Sequence, residues 1–99
     1  MVYAIFEVKK DFIGKIDQVI RDDVVSRQSI TTRDASSLDL DKDVTYVKIE
    51  GSDKGVKRAE ELFKEIGVKK LAKKNADEIN EKIMSQDESA ATGMGMIFD

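Results

Sequence analysis

The stretch Val44-Thr-Tyr-Val-Lys-Ile-Glu50, followed by Gly51-Ser-Asp-Lys-Gly55 and then Val56, Ala59, Leu62, Phe63 and Ile66, sets the fold class. Its first seven residues alternate. Val47 and Ile49 share one face, while Val44 and Tyr46 share the other with Lys48 and Glu50, as in a strand with side-chain period two. Gly51–Gly55 turns the chain, with Ser52 or Asp53 as N-cap. The apolar residues from Val56 to Ile66 then recur at helical spacing. Glu60 and Lys64 form a favourable i,i+4 pair on the polar side, and Gly67 stands where a terminating glycine belongs.

Working outward, Val2-Tyr-Ala-Ile-Phe-Glu-Val-Lys9 reads as a central strand, since both faces carry apolar residues: Val2, Ala4, Phe6 and Val8 on one, Tyr3 and Ile5 on the other. Asp11 is expected to cap a helix carrying Phe12, Ile13, Ile16, Val19 and Ile20, which ends near Asp22-Asp23 because acids oppose the dipole there. Val24–Arg33 reads as a polar edge strand and Asp34–Asp43 as a loop. Val68-Lys-Lys-Leu71 forms a short last strand. A third helix is expected over about Lys73 to Met84, with Asn75 and Glu78 as a capping box and Ala76, Ile79 and Ile83 inward. The β-α-β-β-α-β order predicts an α+β, ferredoxin-like two-layer sandwich over residues 1–85, with an appended helix. Residues 86–99 are expected to form a flexible tail.

The chain has 99 residues, a net charge of −3 and 40% apolar residues, which bounds it to one globular domain. It contains no His, Cys, Trp or Pro. Thiolate and imidazole catalysis, disulfides, iron–sulfur clusters and Cys/His zinc sites are thereby excluded. The near balance of charge argues against a DNA binder. No apolar run is long enough to span a membrane. No basic region leads into an apolar one as in a signal peptide, so a soluble cytoplasmic protein is expected. Glu7, Asp11 and Glu50 are candidate acids, but no placed base, nucleophile or phosphate-cradling loop accompanies them. Gly51-Ser-Asp-Lys-Gly55 lacks the Walker spacing. No enzyme and no cofactor are expected.

Four features carry binding hypotheses. Asp39, Asp41, Asp43 and Glu50 occupy positions one, three, five and twelve of a calcium-loop pattern, although Val44 stands where the turn glycine belongs and Lys42 lies within the cluster. The bland alternative is a solvated loop between strands. Lys69, Lys70, Lys73 and Lys74 form a basic cluster that complements a helix C-terminus or touches phosphates. Tyr3, Ile5 and Tyr46 fall on the sheet face opposite the helices. An open apolar face of that kind marks a contact, with sheet-to-sheet dimerisation the simplest form. Met94, Met96, Ile97 and Phe98 make an apolar tail that docks on a partner or a second copy, or folds back onto its own sheet.

Two resemblances add to this. Tyr46–Phe63 resembles the last strand and helix of KH RNA-binding domains, but the hallmark GxxG loop is missing, with only Phe12-Ile-Gly-Lys15 near it. Asp11-Phe-Ile-Gly14-Lys-Ile16, with the strand Val44–Glu50, the helix Val56–Ile66 and Gly67–Leu71, resembles the ACT regulatory modules. That resemblance covers about residues 2–71 and lacks the Pro before the glycine. It implies a ferredoxin-like fold, pairing through sheets or helices, and a small effector bound near Asp11 and Gly14. The expected function is a small non-enzymatic interaction or regulatory module, acting through self-association as a homodimer or through a protein partner. The alternatives are a KH-like or RRM-like RNA binder and a weak divalent-cation binder.

Overall fold

The structure, a computed structural model, describes residues 2–98, and of residues 87–98 the backbone alone. Four strands form one antiparallel sheet: β1 (Val2–Lys9), β2 (Ser29–Asp34), β3 (Val44–Gly51) and β4 (Lys69–Lys70), in the order β2-β3-β1-β4. Helix α1 (Ile16–Ile20) and a 3-10 segment, Val25–Arg27, connect β1 to β2. Helix α2 (Asp53–Glu65) connects β3 to β4. Helix α3 (Lys73–Phe98) follows. The sheet centre is β1 against β3, from Val2 opposite Gly51 to Lys9 opposite Val44. Both strands are rich in β-branched and aromatic residues, as a strand buried on both faces requires.

One face of the sheet meets α1 and α2. Ala4, Phe6 and Val8 of β1 and Val47 and Ile49 of β3 pack there with Ile16, Val19, Val56, Ala59 and Phe63. The Phe6 and Phe63 rings stack with centroids 4.2 Å apart. Helix α2 sits accurately on this face because both of its ends are locally specified. The Ser52 hydroxyl accepts the Gly55 N–H at 3.1 Å. At the other end Gly67 adopts φ 82°, donating to the Lys64 carbonyl at 3.1 Å while Val68 donates to that of Phe63 at 2.9 Å. These two bonds are the Schellman pattern, and they satisfy carbonyls that the last helical turn leaves open.

The opposite face is not open. Helix α3 lies across it, and Ala76, Ile79 and Ile83 pack with Ile5, Tyr46, Ala35 and Leu38 in a second core. Ile5 is fully buried and Tyr46 is 1% exposed. The helices therefore occupy both sides of the sheet rather than one, which corrects the two-layer expectation and removes Ile5 and Tyr46 as an exposed contact patch. The start of the first helix also differs. Residues Lys10–Lys15 form a 3-10 helix with Lys9 rather than Asp11 at the N-cap position and no side-chain cap bond, and Ile13 is exposed. Gly14 sits inside this turn. Glycine weakens an α-helix by about 0.5–1 kcal/mol relative to alanine, and the tighter turn carries the chain to Ile16 instead.

The segment between α1 and β2 is latched to the β3–α2 junction. One Asp22 carboxylate oxygen accepts the Val24 and Val25 N–H groups at 3.1 and 3.2 Å. The other accepts from the Arg58 guanidinium at 3.3 Å. The backbone N–H of Val25, with that of Val24 and the Arg58 cation, holds the Asp22 carboxyl below the usual carboxylate range. The Gln28 amide donates to the Val24 carbonyl at 3.0 Å and accepts from the Ser52 N–H at 3.1 Å. It fills the space where a side chain on Gly51 or Gly55 would stand. Gly55→Ala should therefore lower stability by about 1–2 kcal/mol, the scale of the Gln28 bonds it displaces, despite the better helix propensity of alanine. Thermal denaturation checks this, and in a Gln28→Ala background the penalty should vanish.

Candidate functional site

β4 is two residues long, and its brevity makes the site. Phe6 faces Lys70 and Glu7 faces Lys69, and the Leu71 N–H reaches the Ile5 carbonyl at 2.9 Å. The chain then leaves the sheet plane, passes Ala72 and enters α3 at Lys73. No described strand flanks Val2–Ala4 on that side. In an antiparallel ladder alternate residues direct their N–H and C=O to opposite neighbours. Because Ile5 points its carbonyl towards β4, Tyr3 directs its main-chain polar groups to the same side. What lies there is a cleft of about 650 Å³, lined by Val2, Tyr3, Ala4, Lys70, Leu71, Ala72, Lys73, Ala76 and Asp77. Its size falls in the range of small-ligand and peptide sites.

The Tyr3 side chain forms one wall. Its hydroxyl donates to the Asp77 carboxylate of α3, and the Lys48 ammonium lies 5.3 Å from its ring centroid. Lys48 is itself buried and 3.9 Å from Glu50. Nearby on α3, the Asn80 side-chain oxygen is buried without a partner among the described residues. The hydrogen bond to Asp77, then burial, then the negative charges of Asp77 and Glu50 push the Tyr3 hydroxyl up to about 12. A proton held more tightly in the folded chain stabilises it below the ordinary tyrosine value. That contribution is present below pH 10 and is lost as the pH rises towards 12. Wild type should accordingly lose its stability advantage over Tyr3→Phe across this interval, read as converging melting temperatures. Two curves that stay parallel from pH 9 upward would exclude the Tyr3–Asp77 link.

A smaller cleft of about 180 Å³ opens between the far end of β1 and α3, with Glu7, Lys42, Tyr46, Asn75, Glu78 and Lys82 around it. Burial and the Glu7 charge push the Tyr46 hydroxyl up. Its lining mixes two acids and two lysines, so no one ligand charge is favoured there.

The other sequence candidates are placed as follows. Asp39 closes a 3-10 turn, Ala35–Leu38, in the left-handed region at φ 60°, a conformation Asp tolerates better than most residues. Asp41 and Asp43 lie in the following loop, exposed. Glu50 is near the far end of β3 from Asp43, roughly 20 Å along an extended strand. The calcium-loop grouping fails on this point: the alternation that makes Val44–Glu50 a strand carries its twelfth ligand away. Among the described residues no group of three or more carboxylates converges on a metal position. Asp11 and Gly14 are exposed on the 3-10 turn, and a Cβ at Gly14 would meet nothing within 4 Å. Of the lysines, Lys70 pairs with Glu60 at 2.6 Å and lines the larger cleft with the exposed Lys73, while Lys69, opposite Glu7 in the β1–β4 register, and Lys74 are exposed outside its lining. The side chains of Met94, Met96, Ile97 and Phe98 lie outside the described residues. Asp77, Ala72 and the bare β1 edge escape sequence reading. The inward spacing of Ala76, Ile79 and Ile83 is the signal that α3 covers something, and the apolar Tyr3–Ile5 face is what remains to be covered. Among the described residues no helix is long and apolar enough to cross a membrane. Comparison with protein-family models, with curated proteins and with solved structures finds no match to this chain.

Proposed function

We propose that the chain is a ferredoxin-like βαββαβ domain with an appended helix, and that it is a small non-enzymatic interaction or regulatory module of the cytoplasm. It acts by self-association or on a protein partner. The fold reading is supported by the strand order β2-β3-β1-β4, in which each helical connection skips one strand. The functional reading is carried by one observation: the cleft beside the unpaired half of β1. Proteins manage exposed sheet edges, and one left bare beside an apolar hollow is a template for another chain. Sheet-to-sheet pairing loses its surface under α3, and so does an RNA platform of the RRM kind, since Tyr46 is buried. Contact through an edge needs no such surface.

Sedimentation velocity over a wide range of concentration tests self-association. Affinity capture on the immobilised full chain tests a heterologous partner. A concentration-dependent dimer, or one protein retained saturably, is the expected result. A monomer at every concentration that retains nothing beyond an unrelated control domain overturns the reading.

A further inference from the structure

We propose that the cleft is a strand-addition site for an extended acidic peptide, which pairs with Tyr3 in the place β4 would occupy if it continued. This rests on the interaction reading above and names the partner's chemistry. The sheet has two edges, and they are treated differently. On β2, the Arg33 guanidinium folds back onto the Thr32 carbonyl at 2.8 Å. A long cation laid along the strand in this way guards an edge against pairing. At β1, among the described residues, no side chain is bonded to the Tyr3 main chain on the cleft side. Tyr3 presents a main-chain donor and acceptor there, one hydrogen-bonding step beyond the Leu71–Ile5 bond that ends the β4 ladder.

The surroundings choose the occupant. Three residues of extended chain span about 10 Å and pass Val2, Ala4, Leu71 and Ala72, an apolar wall suited to every second side chain. The charges at the rim are unequal. Asp77 is engaged by the Tyr3 hydroxyl and Lys70 by Glu60. Lys73 remains exposed in the lining. An acidic side chain on an added strand meets the Lys73 ammonium, whereas a basic one is repelled.

The test is an amide chemical-shift titration of the full chain with acetyl-(Glu-Val)3-amide. Its lysine counterpart and two forms of the acidic peptide, N-methylated on alternate residues in either register, serve as controls. The acidic peptide should shift Tyr3, Leu71 and Ala72 saturably. The lysine peptide should bind more weakly by about tenfold, the size of one lost charged contact. One of the two N-methylated forms should lose binding while the other keeps it, because only alternate amides face β1. Lys73→Glu, an exposed change that leaves the fold intact, should narrow or invert the charge preference. The proposal is overturned if the acidic peptide gives no saturable shift at these residues, if the lysine peptide binds equally well, or if both N-methylated forms bind alike. It is also overturned if a second copy of the chain occupies the cleft. Such a result would show as self-association that Lys73→Glu removes. Failure of the peptides with a partner still seen by sedimentation or capture would sink strand addition alone and leave the interaction reading standing.

Discussion

Phe63→Ala should be the most damaging single truncation, at about 3–5 kcal/mol. Phe63 is fully buried in the core beneath α2 and stacks on Phe6 of the central strand at 4.2 Å. Removing it empties the contact between helix and sheet and leaves a cavity beside Phe6. The aromatic pair adds about 0.5–1.5 kcal/mol beyond the buried area. Domains of this size have a total stability of about 5–15 kcal/mol. A loss on this scale moves the melting temperature by well over ~10 °C. Phe63→Leu keeps most of the volume and should cost less than about 1.5 kcal/mol. Leu62→Ala, at a half-buried neighbour, should fall between the two. Urea denaturation followed by circular dichroism orders the three. Phe63→Ala no worse than Leu62→Ala would mean that the α2 core is misplaced.

Ile83→Asp against Met84→Asp is the second large effect, and it tests the layer that sequence spacing left unassigned. Ile83 is 2% exposed against the sheet, and its neighbour Met84 is 51% exposed. An unpaired carboxylate at the first position costs on the order of 3–5 kcal/mol. At the second it should change little. The helix has an escape: α3 can leave the sheet without the rest unfolding, and the loss is then capped at its docking free energy. The two outcomes are separable by hydrogen exchange. If α3 undocks, its amides lose protection while those of β1 and β3 keep theirs. Ile5 and Tyr46 then become a bare apolar patch, and Ile83→Asp should self-associate more strongly than wild type. Equal behaviour of the two variants would place α3 elsewhere.

These two sites mark how much was legible. The β3–α2 half is written locally. Period two over Val44–Glu50, a hydroxyl at Ser52, an apolar stripe from Val56 to Ile66 and a glycine at position 67 each act within a few residues of themselves. Tertiary context had only to agree with them. The same local logic misplaced the first helix, because Asp11 reads as a cap while Gly14 three residues on loosens the turn it would start. The calcium-loop pattern at Asp39–Glu50 counts spacing along the chain, and an extended strand turns spacing into distance. The β2 edge was readable from its polar Thr and Ser content. Its guard, Arg33 on Thr32, was not, since that bond depends on which side of the strand faces water.

The zeros in composition and the strand and helix periods are properties of the sequence alone. So are the burial of Ala76, Ile79 and Ile83 and the two-sided character of β1. Which surface α3 buries those residues against was decided only by the tertiary structure. A short apolar stripe specifies that a helix must be covered, not by what, and the Tyr3–Ile5–Tyr46 face was the matching area left after α1 and α2 took the other side. The same move that closes that face cuts β4 to two residues and leaves Tyr3 facing a cleft. A proposed binding edge thus follows from where one helix found its partner surface, with no motif to announce it.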